Sequence, residues 1–113
     1  MATSALTADV RLPEHVVVET YSVLTRLPPP HRISPSIAAR WLDERFSATL
    51  LRLEPDTLAS LPSIAATLDI KGGSVYDALI GLTVRDAGAE LLTRDERAAR
   101  TYDRLEVSYT LLR

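Results

Sequence analysis

The sequence predicts an α/β domain built on a parallel sheet, and three observations carry that expectation. Short apolar runs, ATLLRL at 48–53, AELLT at 89–93 and VSYTLL at 107–112, alternate with longer stretches of helical periodicity. The runs are too short and too apolar to lie half-solvated, as strands of an open antiparallel sheet do. The length of 113 residues suits one small domain, here taken as 1–113, near the lower end of what buries a core without staples.

The elements are expected in the following order. Residues 9–12 (DVRL) form a short strand closed by Pro13, which suits a first helical turn because its missing N–H costs nothing there. From Glu14 to Arg26 the positions Val16, Val17, Val23 and Leu24 give helical spacing despite the β-branched run, and the prolines at 28–30 end the helix. Ser34-Pro35 reads as an N-cap with proline at the first helical position, opening a helix through about Phe46. After the strand at 48–53, Asp56 caps a helix over 57–68. Gly72-Gly73 breaks the chain. Ser74 caps a helix over 75–87 that stops at Gly88. A strand at 89–93, a helix at 95–105 and a strand at 107–112 complete the chain.

Composition excludes several classes. No apolar run approaches the roughly 20 residues needed to span a bilayer. MATSALTADVRLPEH has no basic region leading into an apolar one, which argues against a signal peptide. The absence of cysteine removes disulfide scaffolds, thiolate metal sites and cysteine nucleophiles, and suits the cytoplasm. A net charge of −2 argues against a dedicated DNA-binding module held by phosphate contacts, but leaves room for an enzyme that meets a polyanion through cations. Arg94, Arg97, Arg100 and Arg104 cluster near the C-terminus and form either a local positive patch or solvated helix-face charges.

Three acids stand out by position. Glu19 has Val16 and Val23 at helical offsets, which puts its carboxylate on an apolar face, where it needs a partner or a cation. The plain alternative is a rim glutamate paired with Arg26 or His15. Asp77 sits in the first turn of SVYDALIGLTV, on the side of Ile80, Gly81 and Val84. An acid there also complements the helix dipole. Asp95 follows the strand AELLT, where open α/β sheets bind ligands, and equally suits an N-cap. Helices of a right-handed α/β fold run antiparallel to the strands, so helix starts and strand ends share one edge. The three carboxylates are therefore expected on one rim, and such a set suits Mg²⁺ or Mn²⁺ and phosphoryl chemistry.

Other chemistries fit less well. His15 and His31 have no metal-ligand spacing. Gly72-Gly73 lacks the lysine and hydroxyl residue of a phosphate loop, and no nucleophile elbow is present. Trp41 and Phe46 are expected in the core or at a partner surface.

VVVETYSVLTRLP (16–28) and GGSVYDALIGLTVRDAGAELLTRDERAARTY (72–102) closely resemble bacterial PIN domains, especially VapC-type toxins of toxin–antitoxin pairs. The similarity covers most of the chain, and the YDALI helix, the AGA turn and the LLTRD strand end occur in order. The resemblance implies a three-layer α/β/α fold with a parallel sheet whose acidic residues bind Mg²⁺ or Mn²⁺ and hydrolyse single-stranded RNA. By motif, Glu19, Asp77 and Asp95 match the family's second, third and fourth acids, and Thr93 matches a minor hydroxyl contributor. The resemblance further implies a VapB-type antitoxin partner and a homodimer, with Arg94 and Arg97 as candidate RNA contacts.

The family opens with an apolar strand ending in Asp-Thr-Asn or Asp-Thr-Ser, whose aspartate is a principal ligand. Here Met1 leads into ATSALTADVRL, which resembles the next helix tail and second strand, so the fold is expected to be incomplete at its N-terminus. Asp9 precedes its strand and does not match the first ligand. Loss of a central strand exposes backbone groups and apolar surface. Two expectations follow: a longer natural chain, or an impaired relative that serves only as an antitoxin-binding or structural domain.

Overall fold

The computed structural model describes residues 11–46 and 50–112. Asp9, the start of the DVRL strand and the first residues of the 48–53 strand lie outside them. The described chain falls into two compact units, one ending at Leu51 and one running from Arg52 onward.

In the first unit a two-residue strand β1 (Leu12–Pro13) pairs in parallel with β2 (Leu50–Leu51). Pro13 closes β1 with extended backbone and serves as the N-cap of α1 (Glu14–Arg26), so it stands one position before the helical turn expected for it. The bounds of α1 are those the apolar spacing predicts. Within it Thr20 and Thr25 donate their hydroxyls to the carbonyls of Val16 (2.7 Å) and Tyr21 (2.9 Å) one turn back. Leu27 turns extended before the prolines and ends the helix. α2 (Pro35–Phe46) opens with the Ala38 N–H on the Ser34 carbonyl at 2.9 Å, as Ser34-Pro35 predicts. It buries Ala38 and Leu42. Trp41 remains 45% exposed and meets Phe46 edge-on at 5.9 Å, with the Arg45 guanidinium 5.5 Å above its ring. This aromatic pair sits at the surface.

The second unit carries α3 (Pro55–Thr67), α4 (Ser74–Asp86), β3 (Leu91–Thr93), a 3-10 turn (Glu96–Ala98), α5 (Ala99–Arg104) and β4 (Tyr109–Leu111). Pro55 takes the first helical position of α3 and Glu54 the cap, so Asp56 lies inside the first turn instead of capping it. α4 likewise starts one residue earlier than expected, with Gly73 at the cap position and Ser74 already helical. At its other end Gly88 (φ +68°) donates to Arg85 at 3.0 Å and Ala89 to Val84 at 3.1 Å. Those two bonds form a Schellman motif, whose left-handed residue glycine adopts without a Cβ clash.

The core of this unit gathers Leu53, Leu61, Ala78, Leu82, Tyr102 and Val107. Leu82 is completely buried, a placement that contributes about 1.5–3 kcal/mol. β3 and β4 pair in parallel with Leu91 beside Tyr109 and Thr93 beside Leu111. Parallel pairing and strand–helix alternation are therefore as the sequence predicts. The expected helix 95–105 begins as a 3-10 turn, and the strands are shorter than their apolar runs. The fold class is α/β, mostly helical with small parallel sheets.

Candidate functional site

Gly72 (φ +60°) and Gly73 turn the chain into α4. The N–H groups of Val75 and Tyr76 close back on their carbonyls at 3.1 Å each. Asp77 stands in the next positions of that turn, half-buried, on the helix side that also carries the buried Gly81 and Val84. The expected placement of this acid beside the apolar side of its helix is what the structure has, and the helix N-terminus favours a negative charge there.

Asp95 follows β3 by two residues. The Leu112 N–H donates to the Thr93 carbonyl at 2.7 Å, which extends the β3–β4 ladder to the end of β3. The Thr93 hydroxyl then accepts the Asp95 N–H at 3.1 Å. Asp95 in turn caps the 3-10 turn by accepting the Arg97 N–H on Oδ1 at 3.0 Å, and the Arg97 Nε lies 3.7 Å from the same oxygen. Strand end, hydroxyl and cap together fix this carboxylate, which is 47% exposed. Both contacts fall on Oδ1.

The segments carrying these two acids border one groove. Ser74, at the start of α4, and Glu96 and Arg97, just past Asp95, line a space of about 610 Å³ with Lys71, Arg100 and Arg104. The start of α4 and the end of β3 thus lie at one end of the unit, as a helix antiparallel to its strand requires. Arg94 is exposed on the connecting segment.

Glu19 departs from expectation. It belongs to the other unit, and its side chain is 53% exposed, with Oε1 3.4 Å from His15 Nε2 one helical turn away. The pairing alternative is the one formed. α1 buries no residue, so the valines that flank Glu19 do not carry it into a core, and a carboxylate this well solvated does not require a cation.

Among the described residues no group of three or more His, Cys, Asp or Glu side chains is gathered to hold a metal ion. Asp77, Asp95 and the Thr93 hydroxyl are hard oxygen donors of the kind that suit Mg²⁺ or Mn²⁺, though none of the three is among the residues that line the groove. Asp69, Ile70, Glu96 and Thr101 line the groove without having been picked out as site residues in the sequence, and so do Lys71 and Ser74. The signal for the last two was the adjacency in KGGS, since the glycine turn brings Lys71 to the start of α4.

The sequence profile of the PIN domain matches residues 2–104. The chain belongs to the PIN-domain family. Within it, the chain is 49% identical over 111 residues to Ribonuclease VapC40 of Mycobacterium tuberculosis, in strains CDC 1551 / Oshkosh and H37Rv. That match covers 98% of this chain and 83% of the relative. It is also 52% identical over 93 residues to Ribonuclease VapC27 of strain H37Rv, covering 82% of this chain and 67% of that protein. Such identity over nearly the whole chain supports membership of the VapC branch of PIN ribonucleases. No solved structure gives a significant match. No helix among the described residues is long and apolar enough to cross a membrane.

Proposed function

We propose that this chain, acting as one PIN-like domain, is a Mg²⁺- or Mn²⁺-dependent endoribonuclease that cleaves single-stranded RNA as the toxin of a toxin–antitoxin pair. The observation that carries the proposal is 49% identity to a ribonuclease over nearly the whole chain, in a chain with Asp77 in the first turn of α4 and Asp95 at the cap just past β3.

Asp77 and Asp95 would hold the cation. A bound divalent ion supplies Lewis-acid activation of water and neutralises charge on the phosphate. The protein's own part is positional. Thr93 holds the backbone of Asp95, and the cap to Arg97 sets the carboxylate's direction. Arg94 and Arg97, exposed on either side of Asp95, would meet phosphate oxygens as point charges or bidentate donors. A VapB-type antitoxin would be the partner that holds such an activity in check, and the active form would be a homodimer. The test is incubation of a single-stranded oligoribonucleotide with the purified chain. Cleavage should appear with Mn²⁺ or Mg²⁺ and stop on chelation.

A second reading has one observation in its favour, the absence of a three-acid cluster among the described residues. On that reading the chain binds antitoxin without catalysis. Antitoxin binding at full affinity by a chain that never cuts RNA would select it.

A further inference from the structure

The groove beside Asp95 has a charge unlike that of the chain around it. Lys71, Arg97, Arg100 and Arg104 line it against Asp69 and Glu96, so the groove carries an excess of positive charge in a chain of net charge −2. The cations come from two separate segments, the turn before α4 and the stretch from the 3-10 turn through α5, so their grouping is a property of the fold. Arg97, Arg100 and Arg104 recur at three- and four-residue spacing, which aligns them along one side of that stretch.

Arg97 is paired with Asp95 at 3.7 Å, but the partners of the other three leave their charge available. Arg104 is anchored by its Nη1, which donates to the carbonyls of Leu68 (3.1 Å) and Asp69 (3.3 Å) at the end of α3. Those carbonyls orient the guanidinium without neutralising it. Lys71 meets Asp69 at 3.6 Å, with both side chains about four-fifths exposed, a pairing of little worth in water. Arg100 has no hydrogen bond or ion pair among the described residues. An arginine held by carbonyls and two exposed cations lining the same groove suit a chain of phosphates.

We propose that this groove is the track for the RNA backbone, with Lys71, Arg100 and Arg104 as positioning residues that lead the strand to Asp95 and Asp77. The assignment rests on the ribonuclease reading above and names the surface by which the substrate is held away from the reacting phosphate. Lys71 and Arg100 hold no part of the framework, so their removal leaves the fold intact, whereas Arg104 also closes the end of α3.

The test is binding of a non-cleavable 2′-O-methyl single-stranded RNA by the full chain in chelator, across a range of salt, for wild type, Lys71→Ala with Arg100→Ala, and Lys71→Ala with Arg100→Lys. The double-alanine variant should lose on the order of tenfold or more in affinity. Its slope of log affinity against log salt should fall by about 0.7 for each cation removed, and Arg100→Lys should restore part of both. RNA binding by wild type that keeps its affinity and slope in the double-alanine variant overturns the groove assignment. So does poly-glutamate binding in place of RNA, or no RNA binding at low salt. Metal-dependent cleavage measured on the same wild-type preparation reports separately on the ribonuclease reading. Cleavage with an unchanged variant sinks only the groove.

Discussion

Asp95 Oδ1 accepts the backbone N–H of Arg97 at 3.0 Å while the Arg97 Nε stands 3.7 Å from the same oxygen. The same carboxylate thus serves the backbone as a cap and is the group proposed to hold the cation. The two duties separate by substitution. Asp95→Ala should lower stability by about 1 kcal/mol, the usual worth of an N-cap, whereas Asp95→Asn should hold near wild type because asparagine caps as well. Both should abolish metal-dependent cleavage. Urea unfolding beside an RNA cleavage assay checks this, and a fully active Asp95→Asn would reduce Asp95 to a cap.

Gly81 is the close-approach point of the second unit. A Cβ built there lies 3.1 Å from Tyr102 Cδ1 and 3.1 Å from Val107 Cγ2. Alanine would gain about 0.8–1 kcal/mol of helix propensity, but overpacking a filled core costs about 1–3 kcal/mol. Tyr102 is only 4% exposed, so its ring has little room to yield. Gly81→Ala should lower the urea midpoint by the equivalent of roughly 1 kcal/mol. A stabilised variant would contradict the packing described.

Tyr109 offers a pH signature. Its hydroxyl hydrogen-bonds to the Asp103 carboxylate, and that bond, with burial and the nearby charge, raises its pKa above the ordinary tyrosine value. Between the ordinary and raised values the folded chain binds more protons than the unfolded one. The contribution to stability is therefore fully present below the ordinary tyrosine pKa and is lost as pH rises through the raised one. Ultraviolet titration should find Tyr109 ionising late, and Asp103→Asn should bring it down. No change on that substitution would remove Asp103 as the cause.

Manganese should stabilise the folded chain. A ligand that binds only the native state adds about 2.7 kcal/mol at one hundred times its Kd, which for a domain of this size is a rise of several degrees in Tm. Asp77→Asn should erase most of that rise. A Tm indifferent to millimolar Mn²⁺ would favour a domain whose acids are only caps and rim charges.

Much of this architecture was legible in the sequence because local signals and tertiary structure agree. The prolines at 28–30 end α1, Ser34-Pro35 opens α2, and Gly88 ends α4 in the left-handed conformation. Asp77 and Asp95 were legible for the same reason, since a helix start and a strand end fix their places without long-range information. Glu19 was not. Apolar neighbours at helical offsets imply burial only if another element covers that face, and α1 buries nothing. Asp56 was misplaced because Pro55 claims the first helical position and pushes the cap to Glu54. Lys71 escaped notice because its role depends on α5 lying across the groove from the glycine turn, a relation between segments some 30 residues apart.

The central claim is metal-dependent RNA cleavage by carboxylates that include Asp77. Its most direct test is cleavage of a single-stranded oligoribonucleotide in Mn²⁺ by wild type and Asp77→Asn, with both shown to be folded by circular dichroism. Cleavage should be robust in wild type, absent in chelator, and reduced by at least a hundredfold in Asp77→Asn, roughly 2.7 kcal/mol of lost transition-state stabilisation. Equal cleavage by wild type and Asp77→Asn would contradict the account.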